Sequence, residues 1–308
     1  MQRLPKLTQA EIVGLRPYVK RPIAGVVPLD VLVEREAADC AGAIADVLTV
    51  LLRGSECAFR CVMCDLWKHT HQQATPAGAL PAQIAAALAA HGNQRQWIKL
   101  YNASNFFAPS NVPREDLPRI AEQVQAFDRV IVENHPRLLS DSIIEFRQAL
   151  GGRLEIGMGL ETVCPTTLAA LNKQMTLDDF CAACQWLHER DVDLRTFVLL
   201  RPPGMDESEG IEWCIRSVEY AHALGVRHIS IVPLRAGNGA IEHLQSQGLF
   251  TPPLASSLEA TLRAVVELPG AIVTADLWDW HRLRGLEEAG GAEFKRRIEA
   301  MNLTQHLS

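Results

Sequence analysis

The chain has 308 residues, 48% of them hydrophobic and 21% charged, which is enough for one large domain or two ordinary ones. Its formal charge of −6 and pI near 5.9 lack the basic footprint of a nucleic-acid binder, so RNA and DNA are disfavoured partners, although a local basic patch is not excluded. Eight unevenly placed cysteines are too few for a disulfide scaffold and point to metal or redox chemistry in a reducing compartment.

Residues 1–45 read as an N-terminal helical extension. The opening "MQRLPKLTQAEIVGLRPYVK" has no apolar run followed by a small-residue cleavage site. No later stretch approaches the ~18 apolar residues that span a bilayer, so a cytoplasmic protein with no membrane partner is expected. Six aliphatic or β-branched runs then follow: "DVLTVLL" at 46–52, "WIKLY" at 97–101, "RVIVEN" at 129–134, "LEIGMGLE" at 154–161, "LRTFVLL" at 194–200 and "HISIVPL" at 228–234. Helical patterns separate them, one running from Leu177 to Glu189 behind Thr176 as its N-cap. Apolar strands alternating with helices predict a parallel α/β fold, and six units predict a partial (β/α)6 TIM-type barrel. The barrel core is expected over 46–250. Residues 251–308, with a seventh extended run "AIVTADLWD" at 271–279, form a C-terminal extension that completes it.

Just past the first barrel strand, "RGSECAFRCVMCDLWKHT" places Cys57, Cys61 and Cys64 as C-x3-C-x2-C. Thiolates are soft ligands suited to iron–sulfur clusters, and a cubane has four irons, so three protein thiolates leave one iron open. Two other readings stand beside this one: a zinc site completed by His69 or His71, and cysteines that merely fill space. Cys181 and Cys184 form a C-x2-C inside a helical pattern and read as helix-core filling. The loop at 102–114, "NASNFFAPSNVPR", leaves the C-terminal end of the second strand, the face where barrel sites assemble. It is a candidate lid together with 65–78.

The cysteine spacing at this position resembles the radical S-adenosylmethionine (radical SAM) superfamily. The stretches "GLETVCPTTLAALNKQMTLDDF", "LLRPPGMDESEGIEW" and "VPLRAGNGAIEHL" are similar to the archaeosine-synthase-type, Elp3-like branch and its bacterial relatives. That resemblance implies a [4Fe–4S] cluster on the three cysteines, with SAM on its open iron, cleaved by an electron to a 5′-deoxyadenosyl radical. By the same resemblance Met63 stands where an aromatic residue commonly packs on adenine, and a thioether makes a similar apolar contact. Asn102, Ser104 and Asn105 stand by location where many members carry Gly-Gly-Glu for the SAM amino group. Glu161 is the expected partner of the SAM ribose or amino group. Arg201 either holds the SAM carboxylate or is a salt-bridged arginine stiffened by Pro202 and Pro203.

Strand-end residues would touch the substrate: Asn134 and His135, Arg235 and Asn238, and Asp276 or Trp278. "RAGNG" also reads as a plain glycine turn, and His135 as a structural histidine. Lys68, beside the cluster loop, either attracts an anionic substrate or reductant or is merely solvated. The expected activity is hydrogen abstraction from a small polar biosynthetic substrate, with flavodoxin or ferredoxin as electron donor. The alternatives are a lyase acting on a tRNA deazaguanine and a non-catalytic iron–sulfur or zinc protein.

Overall fold

The computed structural model describes residues 1–18 and 27–307. Its strands are β1 (Asp30–Ala37), β2 (Ile44–Leu51), β3 (Trp97–Tyr101), β4 (Arg129–Glu133), β5 (Arg153–Glu161), β6 (Asp193–Leu200), β7 (His228–Pro233) and β8 (Ile272–Ala275). They lie in one sheet in sequence order. Every neighbouring pair from β2 to β8 is parallel, and β1 runs antiparallel on the β2 edge. The six expected strands are β2 to β7, and the seventh run supplies β8. Sequential order with a helix in each crossover curls the sheet one way, which makes the partial TIM-type barrel.

The helices are α1 (Gln9–Gly14), α2 (Ala79–His91), α3 (Asp116–Gln123), α4 (Asp141–Ala149), α5 (Pro165–Ala170), α6 (Leu177–His188), α7 (Glu207–Ala223), α8 (Ala240–Ser246), α9 (Ala255–Val265) and α10 (Ala292–Thr304). Thr176 caps α6 through a reciprocal box with Asp179, the expected N-cap. Cys184 of α6 joins the core and Cys181 is half-buried, as helix filling requires.

The outward faces of the strands and the inner faces of the helices form the main core, with Leu48, Leu80, Ile84, Ile98, Ile120 and Phe180 fully buried. The helical expectation for the N-terminal segment needs correction. Only α1 is helical there, Asp30–Ala37 is a strand, and residues 19–26 lie outside the described residues. The reason is pairing: Leu32, Glu34 and Glu36 line the barrel cavity and alternate with Val31, Val33 and Arg35, a period-2 pattern whose backbone bonds are completed by β2.

Helix α10 packs on both β1 and β8 and so spans the gap between the two edge strands. Its Asn302 amide exchanges two 2.8 Å bonds with the Ala275 N–H and C=O, and Gln305 Oε1 accepts from the Val273 N–H at 2.8 Å. Side-chain amides thus satisfy the free ladder groups of β8, which covers an edge that would otherwise template pairing with another chain. Among the described residues no helix is long and apolar enough to cross a membrane.

Candidate functional site

The three cysteines occupy the loop that leaves β2 at the C-terminal mouth of the sheet. Other segments hold that loop by its backbone. The Val62 N–H donates to Leu171 O at 2.9 Å, Asn172 Nδ2 to Arg60 O at 2.8 Å, and Asn238 Nδ2 to Val62 O at 2.5 Å and Cys64 O at 3.3 Å. Asn238, expected at the substrate, therefore clamps the cysteine loop, and its Oδ1 accepts from Ile241 N at the start of α8. The turn reading of "RAGNG" also applies: Gly239 has φ +93°, and a Cβ there would fall 1.9 Å from Leu15 O. Lys68 of the loop donates to Gly237 O and sits 3.8 Å from Asp65.

Asn105 joins the thiols to the next strand-end loop. Its Nδ2 donates to Cys57 Sγ at 3.1 Å, and its Oδ1 accepts from His135 N at 2.8 Å. Burial raises all three thiols, Cys61 to about 12, so the metal-free loop holds neutral thiols rather than thiolates. Among the described residues no three His, Cys, Asp or Glu side chains converge as ligands of one metal ion. A single zinc would draw its thiolates to within about 4 Å of one another, whereas a cubane spreads one thiolate over each of three irons.

Two expected ligand positions bear on whether a polar cofactor fits beside the cysteines. Asn102 is fully buried, and neither its Oδ1 nor its Nδ2 has a partner; Ser104 Oγ is likewise buried and unpartnered. Buried amides left unpaired cost about 1–3 kcal/mol, so their persistence on this loop fits a polar ligand that completes them. Ala103, Glu161 and Arg201, at the ends of β3, β5 and β6, all have positive φ, the kind of backbone strain that clusters at ligand sites. Met63 is half-buried against the apolar cluster of Val62, Leu171 and Leu234.

Other expected residues are committed elsewhere. Arg201 bonds Thr251 and Pro252 O at 3.2 Å and lies 3.4 Å from Glu207, the salt-bridged alternative. His135 stacks on Phe59 with centroids 3.8 Å apart; its Nε2 meets Lys173 O at 3.0 Å and its Nδ1 accepts from Arg137 N at 3.2 Å. Burial lowers it to about 4, which leaves a neutral ring with both nitrogens used. Asn134 donates to Leu138 O at 2.7 Å in its own turn and accepts from Phe107 N at 3.3 Å in the loop after β3.

Glu161 makes a buried 2.6 Å pair with Lys173, a residue that sequence reasoning missed because "LNKQM" carries no spacing signal. The Lys173 ammonium also feels Cys61 and Cys64, so it is a fixed positive charge beside the thiols. Gly159 makes room for the pair: a Cβ there would stand 2.0 Å from Glu161 Oε1 and 2.5 Å from Lys173 Nζ.

Below the mouth, a cavity of about 950 Å³ runs down the barrel interior, lined by strand residues including Lys99, Tyr101, Glu133, Arg195 and Phe197, with Asp276, Trp278 and Arg235 at its rim. Asp276 accepts from Trp278 N at 2.9 Å, and burial raises its carboxyl above the usual range. Glu133 was also missed. It stands next to Asn134, the neighbour chosen from sequence, but at the inward phase of the strand alternation.

No protein-family model matches the chain. It is 24% identical over 285 residues to an uncharacterised protein of Methanocaldococcus jannaschii, covering 86% of this chain and 78% of that one. It is 23% identical over 187 residues to the archaeosine synthase subunit beta of Thermococcus kodakarensis, covering 58% and 57%. In structure it is similar to the Elp3 protein of Methanocaldococcus infernus, with TM-score 0.51, 14% identity, and 73% of this chain and 59% of that one covered. What the two structures share is the fold, the partial parallel barrel. The chain spans less than two thirds of the Elp3 chain and of the Thermococcus protein. Within this barrel the cysteine loop, Asn102 and Glu161 all stand at C-terminal strand ends, around one mouth.

Proposed function

We propose that this protein is a radical SAM enzyme acting on a small polar substrate in the barrel cavity. The observation that carries the reading is the cysteine triad presented at the mouth of a parallel barrel, beside the unpartnered buried amide of Asn102. Cys57, Cys61 and Cys64 would hold a [4Fe–4S] cluster, and Asn102, Ser104 and Glu161 would face SAM. Bound there, reduced cluster and SAM supply a 5′-deoxyadenosyl radical for hydrogen abstraction. The chain itself positions and shields: Asn105 holds Cys57, Asn238 and Asn172 fix the loop backbone, and Lys173 places positive charge beside the thiols. The loops at 65–78 and 102–114 are joined by the Thr75 N–H to Ser110 O bond at 3.1 Å and would cover the site from water. A flavodoxin- or ferredoxin-type donor would supply the electron.

The test is spectroscopic. After anaerobic reconstitution with iron and sulfide and reduction with dithionite, the chain should give a cubane electron paramagnetic resonance signal that shifts when SAM is added. A signal indifferent to SAM would sink the reading and leave a non-catalytic cluster protein.

One observation favours a second reading, a lyase acting on a tRNA deazaguanine: the similarity to archaeosine synthase subunit beta. It requires a salt-sensitive gel shift with tRNA.

A further inference from the structure

The charges inside the barrel cavity do not cancel. The buried cations of the cavity wall and the arginine at its rim are already claimed: Lys99 by Glu36 and, at 3.3 Å, by Glu34; Arg195 by Glu36 at 2.8 Å and Glu155 at 2.7 Å; Arg235 by Asp279 at 2.8 Å. Glu133 lines the same cavity, and among the described residues its carboxylate has neither a cation within 4 Å nor a hydrogen-bond donor. Its row in the sheet explains why. Glu133 pairs in register with Gly157, and Gly157 with Arg195. The glycine places no side chain between them, a Cβ there would come within 3.2 Å of the Phe197 ring, and Arg195 points its guanidinium to Glu36 and Glu155 instead.

We propose that the cavity receives its substrate through a protonated nitrogen, an amine, amidine or guanidine, with Glu133 as the counter-ion. The inference rests on the reading of this mouth as the reaction site and names the substrate class for it. Tyr101 and Phe197 line the same cavity and offer aromatic surface that suits a cation. Burial pushes the Glu133 carboxyl up to about 7, the behaviour of a carboxylate whose compensating charge is missing, and a bound cation supplies it. The volume of about 950 Å³ lies in the range of small-molecule sites.

The experiment uses three probes of one skeleton and different charge: phenethylamine, 2-phenylethanol and phenylacetate. Their binding to the full chain is titrated by calorimetry without SAM or reductant, so the result is independent of whether SAM is cleaved. Phenethylamine should bind at least tenfold more tightly than the alcohol, and phenylacetate most weakly. Glu133→Gln should abolish the preference for the amine while melting no lower than the wild type, because the amide removes a buried unpaired charge. Asp276→Asn, at the rim, should weaken the amine by a smaller factor. Equal binding of the three probes, tighter binding of phenylacetate, no binding of any, or an amine preference that survives in Glu133→Gln would overturn the proposal.

Discussion

Glu155→Gln should lower the unfolding free energy by about 3–5 kcal/mol in urea titrations at neutral pH. Glu155 is fully buried on β5, and its two oxygens meet Arg195 at 2.7 Å, Arg129 at 2.8 Å and Arg227 at 2.9 Å. Burial works against the charged carboxyl, yet the three guanidiniums win and hold it well below the usual carboxylate range. Removing one anion leaves three cations facing one another, with Asp193 and Glu36 as the remaining partners of Arg129 and Arg195. The pH dependence follows from the sign. A carboxyl depressed by folding adds stability that is fully present above its unfolded pKa of about 4.3 and is lost as pH falls below that. The wild type should therefore lose stability on acidification more steeply than Glu155→Gln. A loss under about 1 kcal/mol at neutral pH, or identical acid profiles, would show that the network does not support the barrel. Its position gives it that work: it closes the cavity floor, where Arg129 and Arg227 also lie 5.2 and 5.4 Å from the Trp97 ring centroid.

Lys173→Met should cost a similar amount, about 3–5 kcal/mol, because it strands Glu161 in a buried site beside the cysteine loop. Glu161→Gln alone should also destabilise, and the double variant should recover part of the sum, with a coupling of about 2 kcal/mol or more in a double-mutant cycle. Additive single effects would mean that the two groups do not act as a pair. The cycle also separates two roles of Lys173. Its pairing with Glu161 appears in stability, whereas its charge beside Cys61 and Cys64 should appear as a lower reduction potential of the reconstituted cluster in Lys173→Met.

The strands were legible because their positions facing the helices form aliphatic runs, as β2 to β7 show, and because at least one helix follows each. Those same runs hid the interior. Lys99, Glu155 and Arg195 sit inside apolar segments and read from sequence as interruptions, whereas the register brings Lys99 and Glu155 into one row with Thr49 and Ile131 between β2 and β5. Charges buried this way are recognisable only once their partners are known, and those partners come from β1, β4, β6 and the residue before β7. β1 itself was read as helix because its polar alternation lacks the aliphatic run of a strand buried on both faces. The cysteine loop was visible from spacing alone. Lys173 was not, since a buried lysine leaves no periodic trace and is placed by the close approach that Gly159 permits. At β4, Asn134 and His135 stand out in the sequence as polar strand-end residues, and the structure engages both in hydrogen bonds, Asn134 with Leu138 O and His135 with Lys173 O, while Glu133, one residue earlier, takes the inward position.

The most direct test of the central claim is 5′-deoxyadenosine, quantified by mass spectrometry after anaerobic reconstitution with iron and sulfide and addition of dithionite and SAM, with Cys61→Ala alongside. The account predicts product from the wild type and none above background from the variant. A wild-type chain that holds its cluster and releases no 5′-deoxyadenosine, or a Cys61→Ala chain that releases as much as the wild type, would contradict it.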